Sequence, residues 1–241
     1  MKFRTRAIHV GNQKDPETGA VVPPVHFAST FVQPGAGEWG NFDYSRSGNP
    51  TRQNVEQTLA SLEGGAGALA FTSGMAATHC ATMLLKEGDH LLAGTDIYGG
   101  TYRLLQHVIR SSGVDVSLAD STQLEMLEQA FKPNTRLVWI ETPGNPLMSI
   151  TDIAACAELA HRHGALLAVD NTFATPALTR PLEAGADLVM HSATKYLGGH
   201  SDLLAGVLVA GSQKLHEQLY FLQNACGAVL SPLESFLLSR G

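Results

Sequence analysis

From about residue 50 onward, short apolar runs of strand length alternate with stretches whose apolar positions recur at helical spacing. That alternation restricts the chain to an α/β layer fold with a mainly parallel sheet. Val55, Leu59 and Leu62 mark one face of a helix that stops at Gly64 and Gly65, and residues 68–71 then read as a short buried strand. Further strands are expected at 90–93, 114–118, 137–140, 166–169, 188–190 and 207–209, with helices such as 124–131 and 153–163 between them. The last connection, from 190 to 207, is short and glycine-rich, which points to an antiparallel final strand. Residues 1–50 differ. Pro23-Pro24, Pro34-Gly35, Gly37 and Gly48-Asn49-Pro50 punctuate a stretch with little periodicity, so an extended N-terminal arm is expected, packed on a neighbouring subunit. Residues 233–238 read as an amphipathic helix still running at Arg240-Gly241, which leaves open a short protein or a fragment cut before another domain.

Composition narrows the ligands. With 44% hydrophobic and 16% charged residues and no apolar run of about 18 residues, the chain is of ordinary globular type without a membrane span. The 16 basic and 22 acidic residues are intermixed, for a formal charge of -6, so no nucleic-acid surface is expected and a small molecule is the expected partner. The N-terminus lacks the apolar stretch of a signal peptide, and Cys80, Cys156 and Cys226 are too scattered to form a disulfide framework. Both features point to a reducing cytoplasm. Each cysteine lies in an apolar, helix-like context and reads as a small buried side chain rather than a nucleophile or ligand.

Two segments deliver polar groups at the ends of buried strands, where ligands of open α/β sheets gather. In the first, Asp170 follows Leu166-Leu167-Ala168-Val169 and is placed to hold a proton on a ring nitrogen; a turn cap is the plainer reading of a lone Asp. In the second, Leu188-Val189-Met190 leads through His191 to Ser192, Thr194 and Lys195. A lysine leaving a buried strand end beside hydroxyls is suited to act as an amine nucleophile, although most lysines are solvated charges. Together Asp170 and Lys195 fit an electron-sink cofactor, the lysine on its aldehyde and the acid on its pyridine nitrogen. Phe71-Thr72-Ser73-Gly74-Met75 supplies strand, hydroxyl, glycine and helix start, which suits a phosphate as well as a simple serine cap. Gly65-Ala66-Gly67 follows a helix and precedes a strand, the reverse of a dinucleotide fingerprint. His161 and His163 read as surface residues at a helix end, and His191 and His200 lack a third ligand at recognisable spacing, so no metal is expected.

In these stretches the chain resembles the Cys/Met-metabolism enzymes that use pyridoxal 5'-phosphate, a family that includes cystathionine γ-synthase, γ-lyase and β-lyase, methionine γ-lyase and the homoserine-ester sulfhydrylases. The matching segments are Tyr44 to Thr51, Ser73-Gly74-Met75, Asp96 to Arg103, Glu141 to Pro146, Val169 to Thr172, and Ser192 to Tyr196 with Gly199 to Asp202. They run in the family's order along nearly the whole chain. The resemblance implies a fold-type I large domain over 51–241, an arm over 1–50, and a C-terminal small domain that the chain lacks. It also implies roles. Lys195 would carry the cofactor covalently and then shuttle protons, Asp170 would pair with the ring nitrogen, and Tyr98 would stack on the ring and assist proton transfer. Ser73, Gly74, Met75, Ser192 and Thr194 would hold the phosphate, Asn145 would lie near the ring oxygen, and Arg103 would serve the substrate. Tyr44 and Arg46 would complete the phosphate site of a neighbouring subunit, which implies a homo-oligomer, a dimer of dimers in most relatives.

Within the family, Asp43 stands where β-lyases tend to place an aromatic, and Gly100 where methionine γ-lyases typically carry cysteine. The wording of 42–47, 139–143 and 221–224 looks closest to cystathionine γ-lyases and the bacterial γ-synthases. The resemblance therefore implies γ-elimination or γ-replacement on cystathionine or an O-acylhomoserine, with O-acylhomoserine sulfhydrylase, methionine γ-lyase and a catalytically silent cofactor-binding fragment as alternatives.

Overall fold

The chain's first helix, α1 (Phe3–His9), buries none of its side chains and so leaves no apolar period to read. Its place comes from elsewhere. Arg6 Nη1 donates to the Ser61 carbonyl at 2.5 Å and Thr58 Oγ1 to the Val10 carbonyl at 2.6 Å. Gly11, at φ +77°, passes so close to the next helix that a Cβ there would lie 2.0 Å from the Asn54 carbonyl oxygen. The arm expected to be wholly extended therefore begins with a helix clamped on its neighbour by polar contacts. The computed structural model describes every residue from Met1 to Gly241.

Helix α2 (Pro50–Glu63) starts where the Asn49 side chain accepts the N–H groups of Thr51 at 2.9 Å and Arg52 at 3.3 Å. It ends at Gly64, whose left-handed backbone closes the last turn. Beyond it come β1 (Gly67–Phe71), α3 (Gly74–Thr82), β2 (His90–Gly94), α4 (Gly99–Leu104), β3 (Asp115–Ala119), α5 (Leu124–Gln129), β4 (Thr135–Glu141), α6 (Ile153–Arg162), β5 (Leu166–Asp170), α7 (Thr175–Leu178), β6 (Leu188–His191), β7 (Gly206–Ala210), α8 (Gln213–Cys226) and α9 (Pro232–Arg240). Each expected strand is present, extended or shifted by one or two residues. No helix is long and apolar enough to cross a membrane.

The seven strands form one sheet in the order β1-β7-β6-β5-β4-β2-β3. Only β7 runs against its neighbours, pairing antiparallel with both β1 and β6. The carboxyl ends of β1, β4, β5 and β6 and the start of β7 therefore share one edge. Side chains alternate between the faces of a strand, and helices cover both. Leu69, Phe71, Leu91, Trp139, Leu188 and Leu208 pack towards α3 and α8. On the other face Val138, Ile140, Leu167 and Val169 meet α6, while Ala68, Ala70, Val189, Val207 and Val209 meet α2 and α9.

Cys80 and Cys156 are buried, and burial pushes their thiols up to about 12 and about 11, out of the reactive range. Cys226, expected to be buried, is exposed, because it is the last residue of α8 and turns outward at the helix end with its Sγ 3.6 Å from Met83 Sδ.

Leu208 sits in the reversed strand with 1% of its surface exposed. Leu208→Ala is expected to lower unfolding free energy by about 2–5 kcal/mol, measured by urea titration.

Candidate active site

At the shared sheet edge a pocket is lined by Ser73, Gly74, Met75, Thr78, Tyr98, Thr101, Glu141, Asn145, Asp170, Thr172, Phe173, Met190, Ser192, Thr194, Lys195 and Leu204. Nine of the sequence-derived candidates thus converge: Ser73, Gly74, Met75, Tyr98, Asn145, Asp170, Ser192, Thr194 and Lys195. Tyr44, Arg46 and Arg103 lie outside it. Arg103 is exposed on α4. Arg46 stacks over the Tyr44 ring with its guanidinium carbon 5.0 Å from the centroid, and its Nε donates to Asn224 Oδ1 at 3.2 Å. A larger hollow of about 500 Å³ between α2 and residues 41–49 contains Arg52, Glu56 and His216 but none of the converging candidates.

One end of the pocket suits an anion. Ser73 caps α3 by accepting the Ala76 N–H at 3.1 Å, and the backbone ladder begins with Ala77 donating to Ser73. The N–H groups of Gly74 and Met75 are left for a ligand at the positive end of the helix. Ser73 is thus both helix cap and pocket wall. Gly74 must lack a side chain, since a Cβ would stand 2.9 Å from Ser192 Cβ. Gly206 must as well, since a Cβ would stand 2.1 Å from the Ser73 carbonyl oxygen. Thr194 Oγ1 is engaged with the backbone of Ala205, accepting its N–H at 3.1 Å.

The other end is acidic and dry. Asp170 is 4% exposed, and its Oδ1 accepts both the Thr172 N–H at 3.0 Å and the Thr172 hydroxyl at 2.6 Å. The turn-capping role and the pocket-facing role therefore coexist, one oxygen for the turn and the other for the pocket. Burial pushes the Asp170 carboxyl upward, opposed by the two Thr172 bonds and by the charge of His191. Glu141 stands beside it in register on β4, and its Oε2 accepts the Tyr98 N–H at 2.7 Å. Burial, and then the neighbouring Asp170 charge, push Glu141 up to about 8. Two carboxyl groups so placed cannot both ionise easily, and a cationic group in the pocket would favour the ionised form of the acid that meets it. The buried Thr101 hydroxyl has no partner and lines the same space.

Lys195 was expected to leave the strand end desolvated. It is exposed, because β6 ends at His191 and Lys195 stands four residues on, in the turns that follow, at the mouth of the pocket. The sequence reading assigned no role to Glu141, Thr101, Thr172 or Phe173. Glu141 could have been found by the rule that found Asp170, a carboxylate ending a buried strand. Thr172 is the third residue of an Asp-x-Thr turn, a spacing that places its N–H on the acid.

An acid needing a cationic partner, a lysine at the mouth and free N–H groups at a helix start match a pyridinium, an aldehyde and a phosphate in turn. The donor set fits pyridoxal phosphate, and the fold and site together define a fold-type I pyridoxal-phosphate enzyme. Residues 4–241 match the family model described as Cys/Met metabolism PLP-dependent enzyme, and the chain belongs to that family. It is 51% identical over 239 residues to a cystathionine γ-synthase of Mycobacterium tuberculosis, covering 98% of this chain and 62% of that protein. It is 47% identical over 239 residues to a cystathionine β-lyase of Lactococcus lactis subsp. cremoris, covering 99% of this chain and 63% of the other. The crystal structure of cystathionine γ-lyase from Lactobacillus plantarum, complexed with L-serine, superposes with a TM-score of 0.97 at 47% identity, covering 100% of this chain and 63% of that one. The chain thus spans just under two thirds of the length of these relatives.

The raised Glu141 carboxyl makes stability depend on pH. Its folded value lies above its unfolded one, so the contribution is complete below about pH 4.5 and is lost as pH rises towards about 8. Glu141→Gln keeps an acceptor for Tyr98 and removes the titration. Its unfolding free energy relative to the native chain should therefore rise steadily from pH 5 to pH 8 in urea titrations.

Proposed function

We propose that the chain is the cofactor-binding part, residues 51–241 with an arm over 1–50, of an enzyme that acts at the substrate γ-carbon, by γ-elimination from cystathionine or by replacing the acyloxy group of an O-acylhomoserine with a thiol. The observation that carries this reading is the convergence of Asp170, Lys195 and the α3 start, with Gly74 closed against Ser192, in one pocket. Bound pyridoxal phosphate supplies an aldehyde for an amino group and a protonated ring that accepts electrons from the substrate α-carbon.

In this reading each residue has a defined task. Lys195, at the pocket mouth, would hold the cofactor covalently, and its freed amine would move the proton of the substrate α-carbon. Asp170 keeps the ring nitrogen protonated, a task suited to a carboxylate that burial leaves short of a counter-charge. Gly74 and Met75 would offer backbone N–H groups to the phosphate, with Ser192 and Thr194 beside them, and Asn145 would serve the ring oxygen. Tyr98, half-exposed over the pocket, stacks on the ring and helps to shield it from water. Glu141, bonded to the Tyr98 backbone N–H, anchors the backbone that carries that side chain.

The reaction is chosen on two positions. Asp43 departs from the aromatic of the β-lyases, and Gly100 lies under the Tyr98 ring, where an added Cβ would come within 2.3 Å of Tyr98 Cε1 and 3.0 Å of Met75 Sδ. A cysteine at 100, as in methionine γ-lyases, would displace Tyr98 from this position. Similarity to proteins named γ-synthase, γ-lyase and β-lyase is comparable, so Asp43, not overall identity, weighs against β-cleavage, and Gly100 weighs against the methionine γ-lyases. γ-Cleavage of cystathionine releases cysteine, 2-oxobutyrate and ammonia, whereas β-cleavage releases homocysteine, pyruvate and ammonia.

With pyridoxal phosphate the protein should develop a visible absorption band that Lys195→Ala lacks, and cystathionine should yield cysteine rather than homocysteine. A band retained in the variant overturns the assignment of Lys195, and homocysteine as product overturns the γ-reading.

Because Tyr44 and Arg46 lie outside the pocket of their own chain, they are assigned to the site of a second copy, within a dimer that pairs again into a tetramer in the cytoplasm. Mixing Lys195→Ala and Arg46→Ala subunits should restore activity that neither variant shows alone, as each hybrid dimer keeps one complete site. No recovery from subunits shown to exchange would place Arg46 in its own site.

A further inference from the structure

On the face of the sheet opposite the pocket, three polar side chains are shut away from solvent: Glu63 and Asn171, each 0% exposed, and His191, 1% exposed. Glu63 is the last residue of α2, Asn171 directly follows Asp170, and His191 ends β6 directly before Ser192. Glu63 Oε1 accepts from His191 Nε2 at 2.6 Å and from Asn171 Nδ2 at 3.1 Å. Asn171 also donates to the Thr179 carbonyl at 2.9 Å, and its N–H to the Met190 carbonyl at 2.9 Å. Glu63 Oε2, His191 Nδ1 and Asn171 Oδ1 find no partner.

None of these groups touches the pocket, and none is used by the chemistry assigned above. A carboxylate with no solvent access is tolerated only against a compensating charge, and His191 is the cationic candidate in contact with it. The same imidazole lies one residue from the segment that pairs with Asp170, and its positive charge is among the influences that hold the Asp170 carboxyl down against burial. The groups facing Asp170 are Thr172 from its own turn and His191 from β6, with Glu141 beside it on β4 and itself pushed up by the Asp170 charge. Those facing His191 are Glu63 from α2 and Asp170 from β5.

We propose that Glu63 and His191 form a buried ion pair that acts through the sheet edge to keep Asp170 ionised, making them positioning residues for the acid at the cofactor's ring nitrogen. The proposal rests on the cofactor reading of the pocket. Glu63 holds the imidazole charged and oriented, the imidazole favours the Asp170 carboxylate, and that carboxylate favours the protonated ring. The chain of influence spans both faces of the sheet while leaving the pocket side of Asp170 free.

The test has two readouts that fail separately. Nitrogen NMR of the ¹⁵N-histidine-labelled apoprotein should show both ring nitrogens of His191 protonated at neutral pH, with the charge lost in Glu63→Gln. In the native protein loaded with ring-¹⁵N pyridoxal phosphate, the ring nitrogen should stay protonated to higher pH than in Glu63→Gln, by about one pH unit, a tenfold difference in proton affinity. A neutral His191 in the native apoprotein overturns the ion pair, and this needs no variant to fold. If Glu63→Gln lowers the urea midpoint but leaves the ring-nitrogen titration in place, the pair is structural only and the positioning role is overturned; His191→Gln repeats the comparison from the other partner. If the native protein forms no visible band with pyridoxal phosphate, the pocket reading fails and takes the role toward Asp170 with it, while the imidazole shift still decides the ion pair.

Discussion

Three backbones meet at one edge of the sheet without room for side chains between them, and the pocket depends on that contact. β7 begins at Gly206 directly against the carbonyl of Ser73, and α3 begins at Gly74 directly against Ser192. Both approaches follow from the reversal of β7. By running antiparallel between β1 and β6, it sets the start of α3 beside the end of β6, although the two strands that lead to them are not neighbours. The free N–H groups of Gly74 and Met75 and the segment carrying Lys195 are thereby brought together by backbone packing, before any polar interaction between them. A methyl group at either glycine would force strand and helix apart, and no rotamer change could relieve it, because the obstructing atoms include backbone.

On this frame the electrostatics are arranged by strand ends. Asp170 and Glu141 close β5 and β4 side by side, and neither has a basic side chain bonded to it. Two such acids buried alone would hold their protons, and the upward displacement of both carboxyls expresses that. The balance between them is uneven. Asp170 has two bonds from Thr172 and the His191 charge behind it, whereas Glu141 has one backbone N–H and a carboxylate for a neighbour. Asp170 is therefore the one to ionise first, and Glu141 the one to remain neutral and hold Tyr98. The division between an ionising carboxyl and a neutral acceptor for the backbone arises from what stands behind each residue.

Much of this was legible in the sequence, and the exceptions have physical causes. Most strands could be read because their centres are runs of apolar residues buried on both faces, and the pocket acid and hydroxyls because they follow such runs closely. Helix α1 could not, since it buries nothing and is held by polar contacts from Arg6 and Thr58 whose partners lie 48 to 55 residues away. The burial of Lys195 was misjudged because proximity in sequence to a buried strand says little once four residues of turn intervene. Cys226 was misjudged because a helix end turned it outward despite apolar neighbours. Glu63 and His191 are separated by 128 residues and carry no local signature, so only the fold reveals that they meet.

The loop at 44–46 shows the same logic at the surface. Asn49 Nδ2 donates to Ser45 Oγ at 3.1 Å, and the buried Arg52 donates to the Ser45 carbonyl at 2.7 Å and the Arg46 carbonyl at 3.1 Å. The backbone of the loop is thus fixed from below by α2, while the side chains of Tyr44 and Arg46 stack on one another with the Tyr44 ring still 41% exposed. An aromatic ring and a guanidinium held outward on a rigid backbone lose little freedom on meeting an anion. In their own chain they face no such group, since the free N–H groups at the start of α3 lie in a pocket that they do not line. A second copy of the pocket is the partner proposed above for a pair of side chains prepared in this way.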